Sequence, residues 1–525
     1  MKTKWLRIFL ALMALPVLAL GASLAAGEQA LDCQDEDLNS AYDLTQAVRL
    51  DLGQQQNAYQ ITQGGTYILS GSLKGGLSIR AGEEDLVRLV LNNVSIENPN
   101  GPAICGLQAD KVILTLAEGS VNNISDGEGY TLDEEGADAA IYMKSDLTIN
   151  GSGSLRVKGQ TAHGILSKDG LLIISGSLDI TSVKDGLSGK DSVGILDGTI
   201  RIQSGSDGIV SSSAQTDKGS VRIEGGSITI IAQRDGIQAQ GGLTLTGGSF
   251  DIRTGEGGTQ VQLTAQAQTP AQGQETPDAD TLSSATRQPG TLTQRGTPPE
   301  GMHGQDGWFE EIQTDDSVES TKGIKGALWV NIQGGLFSLN TADDAIHSKG
   351  DVTIDGGEFT ILTGDDGMHA DGSLHIKSGS ITITGCYEGL EGKTVTIDSG
   401  DITMTASDDG INAASGSVQA EMGMRGDMSA QEDVWVIING GTVKVSAGYD
   451  GIDSNGSIAI NGGEVDLTIQ RAGGGNMAID PNGAYTYTAG QVTTNDGSQN
   501  GRSAMNGPMA GTPQDGQPMR PNRRP

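Results

Sequence analysis

Aromatic residues are scarce in this chain, at 3% of its 525 residues. A transmembrane barrel alternates polar and apolar residues as this sequence does, but it needs aromatic girdles at both membrane interfaces, so that architecture is set aside. Cysteine is nearly absent. Cys33, Cys105 and Cys386 are too few and too scattered for a disulfide framework or a zinc site. Positive charge is also short, with 33 Lys and Arg against 66 Asp and Glu, a net charge of -33. That balance argues against nucleic acid or anionic membrane as a partner. It would also repel a polyanionic sugar unless a cation stood between them. A leucine-rich repeat would need a fixed Leu and Asn pattern, which is missing, and no Ser/His/Asp triad or phosphate-cradling glycine loop emerges from the periodicity.

What the chain has is glycine, 80 residues of it, and a recurring phrase. Asp344-Ala345-Ile346, Asp366-Gly367-Met368, Glu388-Gly389-Leu390, Asp409-Gly410-Ile411 and Asp450-Gly451-Ile452 repeat it in the second half of the chain. Asp185-Gly186-Leu187, Asp207-Gly208-Ile209 and Asp235-Gly236-Ile237 carry it earlier, with His163-Gly164-Ile165 as a variant. The usual step is about 22 residues, and a fixed period of that size means a stacked solenoid, in which no repeat buries its apolar face alone. Within one repeat, Val352 and Ile354 alternate with polar residues, Gly356-Gly357 turns the chain, and Phe359 and Ile361 alternate again. Period-two patterning with glycine punctuation predicts three short strands per triangular coil. The expected fold is all-β, a right-handed parallel β-helix of about 22 residues per coil.

The ends and interruptions divide the chain. Lys2, Lys4 and Arg7 precede an apolar run from Ile8 to Leu20 and small residues through Ala26, which reads as a secretory signal peptide over 1–26; the alternative is a retained membrane anchor. The residues before Cys33 are not those of a lipoprotein signal. A lead-in is expected over 27–65 and the first part of the β-helix over 66–255. Residues 256–322 are a low-complexity insertion of Gln, Thr, Pro and Ala that interrupts one solenoid. The second part spans 323–470, with a Met-rich insertion at about 415–433, and 471–525 reads as a disordered tail.

In a stacked solenoid matching positions lie one strand spacing apart, about 4.8 Å, so sequence columns become ladders. Asp344, Asp366, Glu388, Asp409 and Asp450 form one ladder, and Asp343, Asp365, Tyr387, Asp408 and Tyr449 run beside it. Carboxylates stacked at that spacing repel by roughly 3 kcal/mol per pair at an effective dielectric near 20. Calcium, with oxygen ligands at about 2.3–2.6 Å, would offset this. Asp343/Asp344 and Asp365/Asp366 are the first candidates, with Glu388, Asp408 and Asp409 next. The alternative is that these residues form turns and bond nearby backbone N–H groups. A further column, His347, His369, Glu391, Asn412 and Asp453, can donate and accept hydrogen bonds as sugar hydroxyls do, and is the candidate carbohydrate-binding row along a groove; a solvated outer face is the plain alternative. Lys144, Lys168, Lys190, Lys349 and Lys393 make a third column, and a buried lysine there could serve as the base of a lyase, although solvated ion pairs are the commoner use. Trp329 and Trp435 could stack on sugars or cover the ends of the insertions.

The segments Val87-Arg88-Leu89-Val90-Leu91-Asn92, Ala109-Asp110-Lys111-Val112, Leu116-Ala117-Glu118-Gly119, Asp146-Leu147-Thr148-Ile149-Asn150-Gly151-Ser152-Gly153 and Gly364-Asp365-Asp366-Gly367 give the chain a resemblance. It resembles the secreted carbohydrate-binding right-handed β-helix family of cellulose-degrading clostridia, whose fold is like that of polysaccharide lyases. The resemblance implies binding of cellulose and acidic, pectin-like polysaccharides without established catalysis, and calcium on surface aspartates, here Asp343, Asp344, Asp365, Asp366, Asp408 and Asp409. Tyr387 and Tyr449 break the paired-acid pattern at their rungs. The expected function is thus a secreted or cell-surface, calcium-dependent, non-catalytic binder of plant or microbial cell-wall polysaccharide. A polysaccharide lyase acting on uronate polymers and a surface adhesin or scaffold are the alternatives.

Overall fold

The computed structural model describes residues 31, 33–55, 58–132, 136–258, 320–415, 430–471 and 475–500. It is a parallel β-helix, with 42 strands among the described residues hydrogen-bonded into one continuous system. One coil consists of the short strand Ile346–Ser348, a second strand Asp351–Ile354 and a third strand Glu358–Thr363. Each pairs in parallel with its counterpart one coil on, as Ile346 does with Met368 and Phe359 with Ile381.

Alternation places the core. In Glu358–Thr363 the side chains of Phe359 and Ile361 are buried while Glu358 and Thr360 face water. The inward residues stack on like residues of the next coil in a single apolar cluster that runs the length of the helix. Each buried Val, Leu, Ile or Phe contributes about 1.5–3 kcal/mol relative to exposure, before the entropy of ordering the chain is subtracted. Glycine makes one of the corners possible: Gly357 sits at φ +112° between the second and third strands, and a Cβ there would lie 3.1 Å from the Phe359 ring and 3.2 Å from the Gly335 carbonyl. That backbone conformation is one that L side chains rarely adopt.

The solenoid is continuous across the long insertion. Ile237 pairs with Ile324, and Phe250 with Phe337, so residues flanking the insertion occupy successive rungs. Phe250, Phe337 and Phe359 form a column inside the third face, with ring centroids 4.8 and 4.6 Å apart and planes within 5° of parallel.

Two boundaries differ from expectation. The lead-in over 27–65 is partly solenoid: Val48–Asp51 pairs with Tyr67–Ser70, and Tyr59–Ile61 with Leu77–Ile79. Before these strands, the short helix Asp35–Leu38 lies on the second face, with Asp37 fully buried and bonded to Lys111 Nζ at 2.9 Å and Thr148 Oγ1 at 2.6 Å. The tail expected over 471–525 instead begins with one more coil, Ile479–Pro481, Tyr485–Tyr487 and Gln491–Thr494, paired with the coil before it. Its step is 27 residues rather than 22, so it falls out of the period, yet Ala478 and Ile479 are buried and Val492 packs against the core. The expected leader 1–26 and residues 501–525 lie outside the described residues.

Candidate functional site

The short-strand face carries the recurring phrase and with it the ladder of acids. Running along it are His163, Asp185, Asp207, Asp235, Lys322, Asp344, Asp366, Glu388, Asp409 and Asp450, each two residues before a buried aliphatic residue or methionine. Many of the aspartates use one carboxylate oxygen in the same way, accepting the backbone N–H of the next rung. Asp207 N donates to Asp185 Oδ1 at 3.2 Å, Asp235 N to Asp207 at 3.0 Å, Lys322 N to Asp235 at 2.8 Å, Asp366 N to Asp344 at 3.2 Å, Glu388 N to Asp366 at 3.3 Å and Asp450 N to Asp409 at 2.8 Å. The turn-forming reading therefore describes half of each carboxylate, although the amide comes from the next coil rather than the same turn.

At several rungs the second oxygen faces a cation of the chain itself: His163 stands 3.1 Å from Asp185 Oδ2, and at two further rungs the cation is a lysine. Lys325 Nζ lies 3.1 Å from Asp235 Oδ2. Lys322 Nζ lies 2.8 Å from Asp343 Oδ1 and 2.5 Å from Asp344 Oδ2, inside the group formed by Asp343, Asp344 and Asp365. Lys322-Gly323-Ile324 is the recurring phrase with lysine in the acid's place. Sequence reasoning passed over Lys322 because only acids were followed down that column.

The candidate carbohydrate row does not stand apart from the acids. His347 is buried and its Nδ1 lies 2.9 Å from Asp344 Oδ2. His369 Nδ1 lies 3.4 Å from both Asp366 Oδ2 and Glu391 Oε2, Asn412 Nδ2 donates to Glu388 Oε2 at 2.9 Å, and Asp453 joins Asp450 and Asp480 in a group with oxygens within 4.8 Å of one another. The two columns thus face one another across a single strip. Of the nominated metal residues, Asp343, Asp344 and Asp365 come together, Asp366 joins His369 and Glu391, and Asp408 and Asp409 belong to none of the close groups among the described residues. Asp480 escapes the sequence pattern because it lies in the final coil, whose step of 27 residues departs from the period.

Crowding shows in the protonation of the strip. Burial, with Glu391, Asp366 and Asp409 nearby, pushes Glu388 up to about 9. Burial and then the neighbouring carboxylates carry Asp207 to about 7, and Asp450 and Asp453 to about 7. His369 goes the other way to a charged form: burial opposes its charge, but Asp344, Asp366 and Glu391 outweigh it and raise the imidazole to about 11. His163, between Asp138 at 3.5 Å and Asp185 at 3.1 Å, rises to about 9 against the same opposition from burial.

These shifts set a pH dependence of stability. Asp207 and Glu388 bind protons more tightly folded than unfolded, so between their unfolded and folded values the native state carries the extra proton and stability falls as pH rises. His163 has a raised folded value too, so its contribution is present below its unfolded value and is lost as pH rises through about 9. All three slopes have one sign, and the melting temperature of the metal-free protein is expected to fall by several degrees between pH 6 and pH 9. Melting followed by circular dichroism checks this, and Asp207→Asn should make the slope shallower; a flat profile would contradict it.

The lysine column stands at an exposed corner. Lys144, Lys168, Lys190 and Lys349 are exposed and Lys393 is half-buried, paired with Asp433 at 2.5 Å. They lack the burial on which a proton-abstracting lysine depends. Trp329 lies against Gly242, where a Cβ would come within 2.0 Å of its indole, and Trp435 Nε1 donates to the Glu432 carbonyl at 3.0 Å. Both tryptophans pack beside the places where the insertions rejoin the helix.

A protein from Acetivibrio thermocellus described as carbohydrate-binding domain-containing is 34% identical over 216 residues, covering 40% of this chain and 75% of that relative. A solved structure of the polysaccharide lyase-like protein from C. thermocellum, in its gadolinium derivative, matches with 30% identity and a TM-score of 0.39, covering 40% of this chain and 91% of that one. The family profile for carbohydrate-binding domain-containing proteins matches residues 55–367 and 365–509. With most of the solenoid inside that match, the chain belongs to the family of carbohydrate-binding domain-containing proteins.

Proposed function

We propose that this chain is a secreted, calcium-dependent binder of acidic cell-wall polysaccharide, holding the polymer along the short-strand face without cleaving it. The observation that carries the reading is the shared carboxylate geometry. One oxygen of each ladder aspartate is committed to a backbone amide, and at Asp235 and Asp344 the other faces an ammonium. Where no lysine occupies the ladder, calcium is the cation whose oxygen preference fits the donors. Asp450, Asp453 and Asp480, with oxygens within 4.8 Å of one another and with Asp409 close enough to repel them, form the all-oxygen group best suited to it. Asp343, Asp344 and Asp365 are a second calcium position, at which the ion has to displace Lys322 from its two carboxylates.

A net charge of -33 makes a bare acidic glycan an unfavourable ligand, and calcium shared between protein and uronate carboxylates removes that obstacle. His347, His369, Glu391 and Asn412 would then offer hydrogen bonds to sugar hydroxyls beside the ions, while Asp453 of the same row ligates the ion itself. Export follows from the basic start and apolar run of Ile8 to Leu20. The test is electrophoresis through gels containing polygalacturonate. Retardation is expected with calcium and should vanish with chelator. Equal mobility in both would reject an acidic glycan as the ligand, and pull-down on cellulose would then decide whether a neutral polymer replaces it.

A further inference from the structure

Near the middle of the strip, nitrogen donors join the oxygens. His347 and His369 are register partners on successive short strands, with ring centroids 4.9 Å apart and planes at 80°. Asp344, whose side chain is only 2% exposed, turns Oδ2 to both: 2.9 Å from His347 Nδ1 and 3.7 Å from His369 Nδ1. His369 Nδ1 is also 3.4 Å from Asp366 Oδ2 and from Glu391 Oε2. Three carboxylates from three coils thus surround one ring nitrogen, and none is at the N–H···O length of about 2.7–3.2 Å. Around a tetrahedral ion with bonds of about 2.0–2.1 Å, neighbouring ligand atoms lie about 3.3 Å apart. The distances from Asp344 Oδ2 to the two imidazoles, 2.9 and 3.7 Å, bracket that value.

We propose that Asp344 Oδ2, His347 Nδ1 and His369 Nδ1 bind a transition-metal ion of the zinc class, at a site that shares Asp344 with the second calcium position but differs from it in its nitrogen donors. Calcium takes oxygen ligands, whereas imidazole suits zinc, nickel or copper, and two imidazoles with one carboxylate are a set that zinc accepts while keeping a position open. The site is built from imidazole and carboxylate, so the scarcity of cysteine does not bear on it. Its surroundings support the assignment. Asp371 Oδ1 stands 3.5 Å from His369 Nε2, beyond direct hydrogen-bond length but on the side from which a carboxylate orients a metal-bound imidazole. The backbone N–H of Asp366 holds the other oxygen of Asp344 at 3.2 Å, which fixes the carboxylate for an ion at Oδ2. Lys322 Nζ touches that oxygen at 2.5 Å and Asp343 Oδ1 at 2.8 Å, so an entering ion takes over the first contact while the second keeps the lysine in place. The site depends on these side chains alone and stands whether or not the strip binds sugar.

Calorimetric titration of the chelator-stripped protein with zinc chloride tests it, with cobalt(II) as a spectroscopic probe. The expected result is one zinc per chain and the intense visible absorption of tetrahedral cobalt, with affinity at least about tenfold lower and the cobalt band lost in the His347→Gln/His369→Gln variant. A cooperative melt like that of the parent separates loss of ligands from loss of fold, and if the double variant does not fold, His369→Gln alone carries the same comparison. Absence of zinc binding in the parent protein, or binding that the histidine substitutions leave unchanged, overturns the proposal.

Discussion

Replacing Phe337 by Ala is expected to destabilise the protein by about 3–5 kcal/mol, the usual cost of emptying a buried aromatic site. Phe337 is the middle ring of the Phe250, Phe337, Phe359 column, stacked on one neighbour at 4.8 Å and on the other at 4.6 Å. Its loss would leave both partners without a stacked face, in a lattice of paired strands that resists local collapse. The position matters as much as the volume, because Phe250 and Phe337 lie on opposite sides of the long insertion and meet as register partners. The rung joining the two parts of the helix is thus where the cavity would open. Equilibrium denaturation should show a lowered midpoint, and repeat proteins lose cooperativity at weakened interfaces, so two separated transitions would be a further outcome of the same defect. Phe337→Leu, which keeps much of the volume, should cost markedly less. A Phe337→Ala protein as stable as the parent would refute the account of the core.

Neutralising the C-terminal carboxylate group should separate stability from binding. In the Asp450→Asn/Asp453→Asn/Asp480→Asn variant, chelator-sensitive retardation by polygalacturonate is expected to be lost and calcium affinity to drop at least about tenfold, since ligand charge count sets calcium affinity. Without calcium the same variant should melt higher than the parent. Burial and mutual repulsion hold Asp450 and Asp453 near 7, so at neutral pH a substantial fraction of their charge is carried at a cost that neutral amides avoid. A misfolded variant would lose binding and stability together, whereas a released acidic cluster loses binding and gains stability. Retained calcium-dependent retardation would remove these three residues from the site.

The architecture was legible because periodicity is a one-dimensional property. Strands expected at Ile346, Val352–Ile354 and Phe359–Ile361 are the observed three, since alternation and glycine punctuation decide strand and corner within a few residues. Where the step lengthened and the acidic phrase was also lost, as at Met477-Ala478-Ile479, the pattern no longer marks the coil. The coil from Ile479 to Thr494 is closed by a ladder of parallel partners that no local pattern announces. The first strands near Val48 and Tyr59 were missed similarly, because their apolar residues are few and their order comes from pairing with the next coil.

By itself the sequence determined the repeat, the inward aliphatic ladder and the existence of acidic columns, because one coil is short enough for its pattern to be read along the chain. Tertiary structure alone decided what those columns do. Whether a carboxylate faces an amide, a lysine or an imidazole depends on the rung above and below, and rungs can be 22, 41 or even 87 residues apart. Lys322 became the partner of Asp343 and Asp344, and His347 and His369 became neighbours of three carboxylates, because side chains interact through a few ångströms of space. Stacking the coils sets that distance, and separation along the chain does not.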